Sequence, residues 1–124
     1  MDKKISVVIN TYNAEKDLAR VLESVKGFDE IVICDMESTD STLNIAKKYD
    51  CKIVSFPKAN HKSAEPARTF AIQSATYPWV LVVDADELVT SELKEYLYNR
   101  ISEPDCPAGL YIPRKNYFMG KLYD

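Results

Sequence analysis

A chain of 124 residues holds one domain with a real core, and is short for an α/β enzyme that carries both a donor and an acceptor site. Its 16 Lys+Arg against 19 Asp+Glu leave a net charge of −3, which gives no electrostatic footprint for DNA or RNA, so an anionic ligand has to be met by local groups. Cys34, Cys51 and Cys106 are scattered and form no C-x-x-C, which argues against a disulfide framework and a zinc site and fits a reducing cytoplasm.

Ile5-Ser-Val-Val-Ile9 is β-branched and nearly all apolar, the pattern of a strand, and it is too brief for the apolar core of a secretory signal. After Asn13, Leu18, Val21, Leu22 and Val25 fall at helical spacing, with Gly27 as the stop. Glu30-Ile-Val-Ile-Cys34 predicts a second strand, and the polar run 35–42 opens a second helix through Tyr49. Lys52-Ile-Val-Ser55 predicts a third strand, and 57–65 a loop. Pro66 is suited to the first position of a helix that runs to about Ala75. Residues 79–83 predict a fourth strand and 91–100 a helix. A break at 104–107 precedes a last strand over 109–114, placed at an edge because Pro113 cannot donate to a ladder. No segment approaches the roughly eighteen consecutive apolar residues of a membrane span, which leaves work at a membrane surface open.

Strands alternating with helices predict right-handed β-α-β units in a mainly parallel sheet covered on both faces, a three-layer α/β/α domain. In such sheets a ligand sits beyond the carboxyl ends of the strands, where the strand order reverses. The loops there are Asn10-Thr-Tyr-Asn13, the segment 35–42, and Asp84-Ala-Asp86-Glu87. If the fourth strand continued through Asp86, Asp84 and Asp86 would share a face and Ala85 would point back to the protein. Paired carboxylates at a strand tip suit a hard divalent ion, Mg2+ or Mn2+, whose shell is completed by water and substrate phosphates. A lone D-x-D is more often a turn or a helix cap, so the weight rests on the three loops converging.

Taken together these loops resemble the family 2 inverting glycosyltransferases, which have the GT-A, nucleotide-diphospho-sugar transferase-like fold, over nearly the whole chain. The resemblance implies that Thr11, Tyr12 and Asn13 bind the nucleoside, that Asp35 hydrogen-bonds the base, and that Ser38-Thr39-Asp40 is the following S-T-D. Tyr12 can wall a uracil ring and Asp35 can accept its ring N–H, while packing of Tyr12 over the first helix and capping by Asp40 are the structural alternatives. Arg68, on a helix that resembles the family's arginine-bearing helix, would meet phosphate oxygens with its fork of donors. Asp86 matches the family's metal ligand and Asp84 the residue that addresses ribose or metal-bound water, with Glu87 as a third carboxylate of catalytic or capping use. The stretch 112–120 resembles the subgroup that acts on lipopolysaccharide cores.

The implied reaction is inverting transfer from a nucleotide sugar, a UDP-hexose, to a hydroxyl of a glycan or lipid-linked glycan, in lipopolysaccharide or cell-surface polysaccharide synthesis at the inner face of a membrane. The second loop departs from the family's Asp-Asp-Gly-Ser-Thr-Asp, having Asp35-Met-Glu-Ser-Thr-Asp40. The family's base lies well downstream of the D-x-D, and this chain ends thirty-eight residues after Asp86. The expectation is therefore a single donor-binding domain, 1–124, without the acceptor and base region, and an alternative reading is a catalytically incomplete nucleotide-binding fragment. His61, Lys58, Lys62 and Trp79 are read as loop, rim and core residues. A receiver-type signalling domain has this length but needs paired acids after its first strand and an aspartate after its third, where this chain has Asn10 to Asn13 and Ser55. A nucleotidyltransferase would show a glycine-rich phosphate loop, and only 3 glycines are present.

Overall fold

The computed structural model describes residues 3–57, 65–103, 109–111 and 117–120; the side chains of residues 65, 66, 68, 109–111 and 117–120 lie outside that description. Ten elements follow in order: β1 (Ile5–Thr11), α1 (Leu18–Val25), β2 (Glu30–Asp35), α2 (Thr42–Lys47), β3 (Lys52–Ser55), α3 (Glu65–Ser74), β4 (Trp79–Asp84), α4 (Ser91–Ile101), β5 (Gly109–Tyr111) and β6 (Tyr117–Gly120). They build one sheet in the order β3-β2-β1-β4-β6-β5. The first four positions are parallel, β6 pairs antiparallel with β4, and β5 pairs antiparallel with β6.

Alternation along the strands decides which face each residue serves. Ile5, Val7 and Ile9 of β1, Ile31 and Ile33 of β2, and Trp79, Leu81 and Val83 of β4 pack with Leu18, Val21, Leu22 and Val25 of α1, Ala46 of α2, and Leu97 and Ile101 of α4. The intervening residues Val8, Val32, Cys34, Val80 and Val82 meet Ala71 of α3 and Ala75 just past its end. The sheet is thus buried on both sides, the three-layer arrangement predicted from the pattern. Trp79 is 4% exposed and belongs to this core.

Two boundaries differ from the sequence reading. The first helix stops at Val25 with Lys26 as its cap at φ −68°, and Gly27 has no left-handed backbone, so the glycine follows a stop that it does not itself make. The second helix closes at Lys47 rather than Tyr49. Of the strand predicted over 109–114, residues 109–111 form β5, at the sheet edge as expected, and 112–114 lie outside the described residues. Between β5 and β4 the structure inserts β6, which the sequence reading did not contain. Four residues ending in glycine carry too little alternation to announce a strand; antiparallel pairing with β4 supplies what local pattern lacks. The predicted break at 104–107 and the loop residues Lys58, His61 and Lys62 lie outside the described residues.

Candidate active site

The chain leaves β1 for β2 and β3 on one side and returns through β4 on the other, so the strand order reverses between β1 and β4. Register sets which tips meet there. Thr11 lies opposite Asp35 and Asn10 opposite Asp84. The three loops named from sequence therefore leave adjacent strands.

The first two loops are fastened to each other by a buried carboxylate. Asp35 is 1% exposed and Thr11 also 1%. Thr11 Oγ1 donates to Asp35 Oδ1 at 2.7 Å, as does Ser38 Oγ at 2.7 Å, and Ser38 N donates to Oδ2 at 2.9 Å. Ser38 Oγ then accepts from Asn13 N at 2.8 Å, and Asn13 Oδ1 accepts from Thr39 N at 2.7 Å. Asn13 has φ 49°, a left-handed conformation that asparagine tolerates better than most residues. A hydrogen-bonded charge of this kind holds a loop more firmly than neutral pairs do.

The S-T-D segment extends the clasp. Asp40 Oδ1 accepts from Thr42 N at 2.9 Å and Oδ2 from Glu15 N at 3.2 Å, while Glu15 Oε1 accepts from Ser41 N at 3.0 Å. Ser41 rather than Asp40 holds the cap position of α2, yet its side chain makes no cap bond, and Asp40 satisfies the first helical N–H in its place. Burial acts to raise the Asp40 pKa, but the bonds from Thr42 and Glu15 outweigh it and hold the carboxyl below its ordinary value.

At the third loop the strand ends at Asp84, and Ala85 and Asp86 form a turn closed by Glu87 N donating to Asp84 O at 3.1 Å. Strand alternation therefore does not govern Asp86, a correction to the shared-face reading. Asp84 and Asp86 are both exposed all the same, and Ala85 packs against the core. Glu87 Oε1 accepts from Asp84 N at 3.3 Å, so its carboxylate braces the turn, while Thr90 caps α4 by accepting from Leu93 N at 3.1 Å.

A cleft of about 450 Å³ opens at this junction, lined by Asn10, Tyr12, Asn13, Ala14, Lys16, Asp17, Ala85 and Asp86. Of the residues named from sequence it brings together Tyr12, Asn13 and Asp86. Thr11 and Asp35 stand behind its wall as fasteners, and Asp84 lies at the strand tip beside it. Tyr12 is 47% exposed, which places its ring at the cleft rather than under the first helix. Arg68 is on the first turn of α3, whose start is fixed over the end of β2 by Cys34 Sγ donating to Ala67 O at 3.7 Å; the Arg68 side chain lies outside the described residues. Burial, with Asp35 adjoining, pushes the Cys34 thiol up to about 11, so it is no nucleophile near neutral pH.

Lys16 and Asp17 line the cleft without having been named from sequence, and Asn10, named only as the start of the first loop, had been given no role. Lys16 and Asp17 read as the polar lead-in to α1. Asn10 closes an apolar run just as Asp84 closes β4, and that shared position was the available signal.

A parallel sheet with helices on both faces and a cleft at the reversal of strand order, walled by an aromatic and carboxylates, defines a GT-A type domain. The family model "Glycosyl transferase family 2" matches residues 6–123, and the chain belongs to that family. An uncharacterized glycosyltransferase of Rickettsia typhi is 39% identical over 100 residues, covering 77% of this chain and 33% of that protein. The lipopolysaccharide core biosynthesis glycosyltransferase LpsC of Rhizobium meliloti is 30% identical over 121 residues, 96% of this chain and 45% of LpsC. The crystal structure of Staphylococcus aureus TarS in complex with UDP superposes with a TM-score of 0.70 at 30% identity, over 80% of this chain and 32% of that one. The chain spans about a third of the length of the Rickettsia relative.

Proposed function

We propose that this chain binds a nucleotide sugar, a UDP-hexose, together with Mg2+ or Mn2+, and that it serves inverting transfer of the hexose to a hydroxyl of a glycan in lipopolysaccharide or cell-surface polysaccharide synthesis. The observation that carries this reading is the cleft that joins Tyr12, Asn13 and Asp86 across the β1–β4 reversal. Support for the donor comes from TarS, crystallised with UDP, and support for the acceptor class from LpsC.

The donor set fits a hard divalent ion. Among the described residues no group of three or more His, Cys, Asp or Glu could hold a metal, so the protein offers Asp86 and Asp84 and leaves the remaining positions to phosphate oxygens and water. A bound ion would offset the charge that grows on the departing diphosphate. Tyr12 supplies an aromatic face for the base, and Asn13, fixed at both its N–H and its Oδ1, keeps that face in position. Asp35 acts behind the wall, holding Thr11 and Ser38 so that the Tyr12 loop is set before ligand arrives. Arg68 at the start of α3 is the proposed partner for phosphate, its fork matched to two oxygens at once.

Titration of the chain with UDP in the presence of Mn2+, read by calorimetry, tests this. A saturable heat that weakens at least tenfold in Asp86→Ala is expected. No saturable heat, or one that Asp86→Ala leaves unchanged, overturns the reading.

A further inference from the structure

Asp86 is exposed and lies past the end of β4, on a turn followed by residues 87–90 without regular structure, so neither the sheet nor a helix fixes it directly. Its carboxylate is placed by whatever holds the two ends of this loop. The near end is closed by Glu87 N donating to Asp84 O at 3.1 Å and Asp84 N donating to Glu87 Oε1 at 3.3 Å. The far end is Val89, which is 5% exposed in the core shared with α1, and its N–H donates to Ser24 Oγ of that helix at 3.1 Å. Ser24 Oγ in turn donates to Val21 O at 2.7 Å. The hydroxyl therefore gives its one proton back to its own helix and offers a lone pair to the loop. The same helix borders the cleft at its other end. Leu18 N, at the first residue of α1, donates to Ala14 O at 3.0 Å, and Ala14, Lys16 and Asp17 line the cleft together with Asp86. One helix thus touches the Tyr12 loop at its start and the Asp86 loop in its last turn.

We infer that Ser24 is a positioning residue for Asp86: by holding Val89 it sets where the Asp86 turn stands relative to the Tyr12 loop, and so where a divalent ion and a diphosphate meet. This rests on the nucleotide-sugar reading and adds to it a residue that touches neither ion nor nucleotide. A carboxylate whose support is loosened binds metal less well although its own chemistry is intact. A serine that did no more than satisfy a buried N–H would stabilise the fold with no particular link to Asp86.

The experiment titrates UDP with Mn2+ into the wild-type chain, Ser24→Ala, Ser24→Thr, Asp86→Ala and the double variant Ser24→Ala/Asp86→Ala. Threonine keeps an oxygen that can bond the carbonyl three residues back, and alanine removes it. Ser24→Ala is expected to weaken binding about fivefold, and Ser24→Thr to stay near the wild type. In the Asp86→Ala background Ser24→Ala should cost nothing further, because a residue that acts through Asp86 has nothing left to position. An equal loss in both backgrounds, no loss in Ser24→Ala, or a Ser24→Thr as weak as Ser24→Ala overturns the inference and leaves the nucleotide reading standing. Absence of a cooperative thermal transition in Ser24→Ala assigns the serine to the fold and also overturns it. Failure of the wild type to bind UDP, or indifference of binding to Asp86→Ala, sinks both.

Discussion

Glu37 sits at φ 64° on the exposed loop between Asp35 and Ser38, a conformation that costs an ordinary side chain about 1 kcal/mol and glycine almost nothing. The family pattern has glycine at this place, and this chain instead carries a glutamate in the left-handed conformation. Neighbouring bonds make the strain tolerable: Ser38 is held at N and Oγ by Asp35, and Met36 N donates to Thr11 O at 2.8 Å. Glu37→Gly should raise the stability of the chain by about 0.5–1 kcal/mol in denaturant unfolding. A loss of stability would mean that the glutamate side chain does more for the fold than its backbone costs. The Asp35 clasp is a different matter: its partner Thr11 is 24 residues away, a contact that no local pattern announces, so the residue types were legible and their mutual burial was not.

The helix that carries Arg68 owes its position to three small residues. Ala67 and Ala71, at i and i+4, are each 0% exposed, and Ala75, one residue past the helix, is 6% exposed; Ala71 and Ala75 let α3 lie close on the valines of β1, β2 and β4. Phe56 and Phe70 flank it, with ring centroids 5.5 Å apart. Ala71→Leu should therefore cost about 1–3 kcal/mol by overpacking and, by lifting the start of α3, weaken UDP binding without touching the cleft. Unchanged UDP affinity in a destabilised Ala71→Leu chain would show that α3 is no part of the donor site. At this scale the sequence was most informative where periodicity is strong: β1, β2 and β4 follow from β-branched runs, and α1 from its four apolar positions. It was least informative at β6 and at the turn after Asp84, where pairing partners and hydrogen bonds remote in the chain decide the conformation.

Across the whole molecule the two ends of the sheet do different work. The carboxyl ends hold the cleft, and the amino ends hold a pair of carboxylates that tie strands together. Asp29 Oδ2 accepts from Ile5 N at 2.9 Å and from Tyr98 Oη of α4, whose pKa is raised by burial and by that carboxylate. Glu30 accepts from Ser6 Oγ at 2.7 Å, Thr76 N at 2.8 Å and Thr76 Oγ1 at 2.7 Å, which joins β1, β2 and the approach to β4. Burial would raise the Glu30 pKa, but the bonds from Ser6 and Thr76, with Lys52 nearby, outweigh it and lower the value. A carboxyl whose folded pKa is depressed contributes stability fully above its unfolded pKa, about 4.3, and loses that contribution as pH falls through the lower folded value. Glu30→Gln removes the charge and puts an amide NH2 where Thr76 Oγ1 donates, so that hydroxyl must turn to accept and the charge-assisted bonds become neutral ones, which should cost about 1 kcal/mol at pH 7. The gap between the two proteins should narrow steadily below about pH 4, where the wild-type glutamate becomes protonated as well. Denaturant unfolding of both from pH 7 to pH 3 measures this, and a gap independent of pH would show that the clamp acts through shape alone. UDP affinity at pH 7 should be equal in the two proteins, because Glu30 lies at the end of the sheet away from the cleft that Asp86 lines.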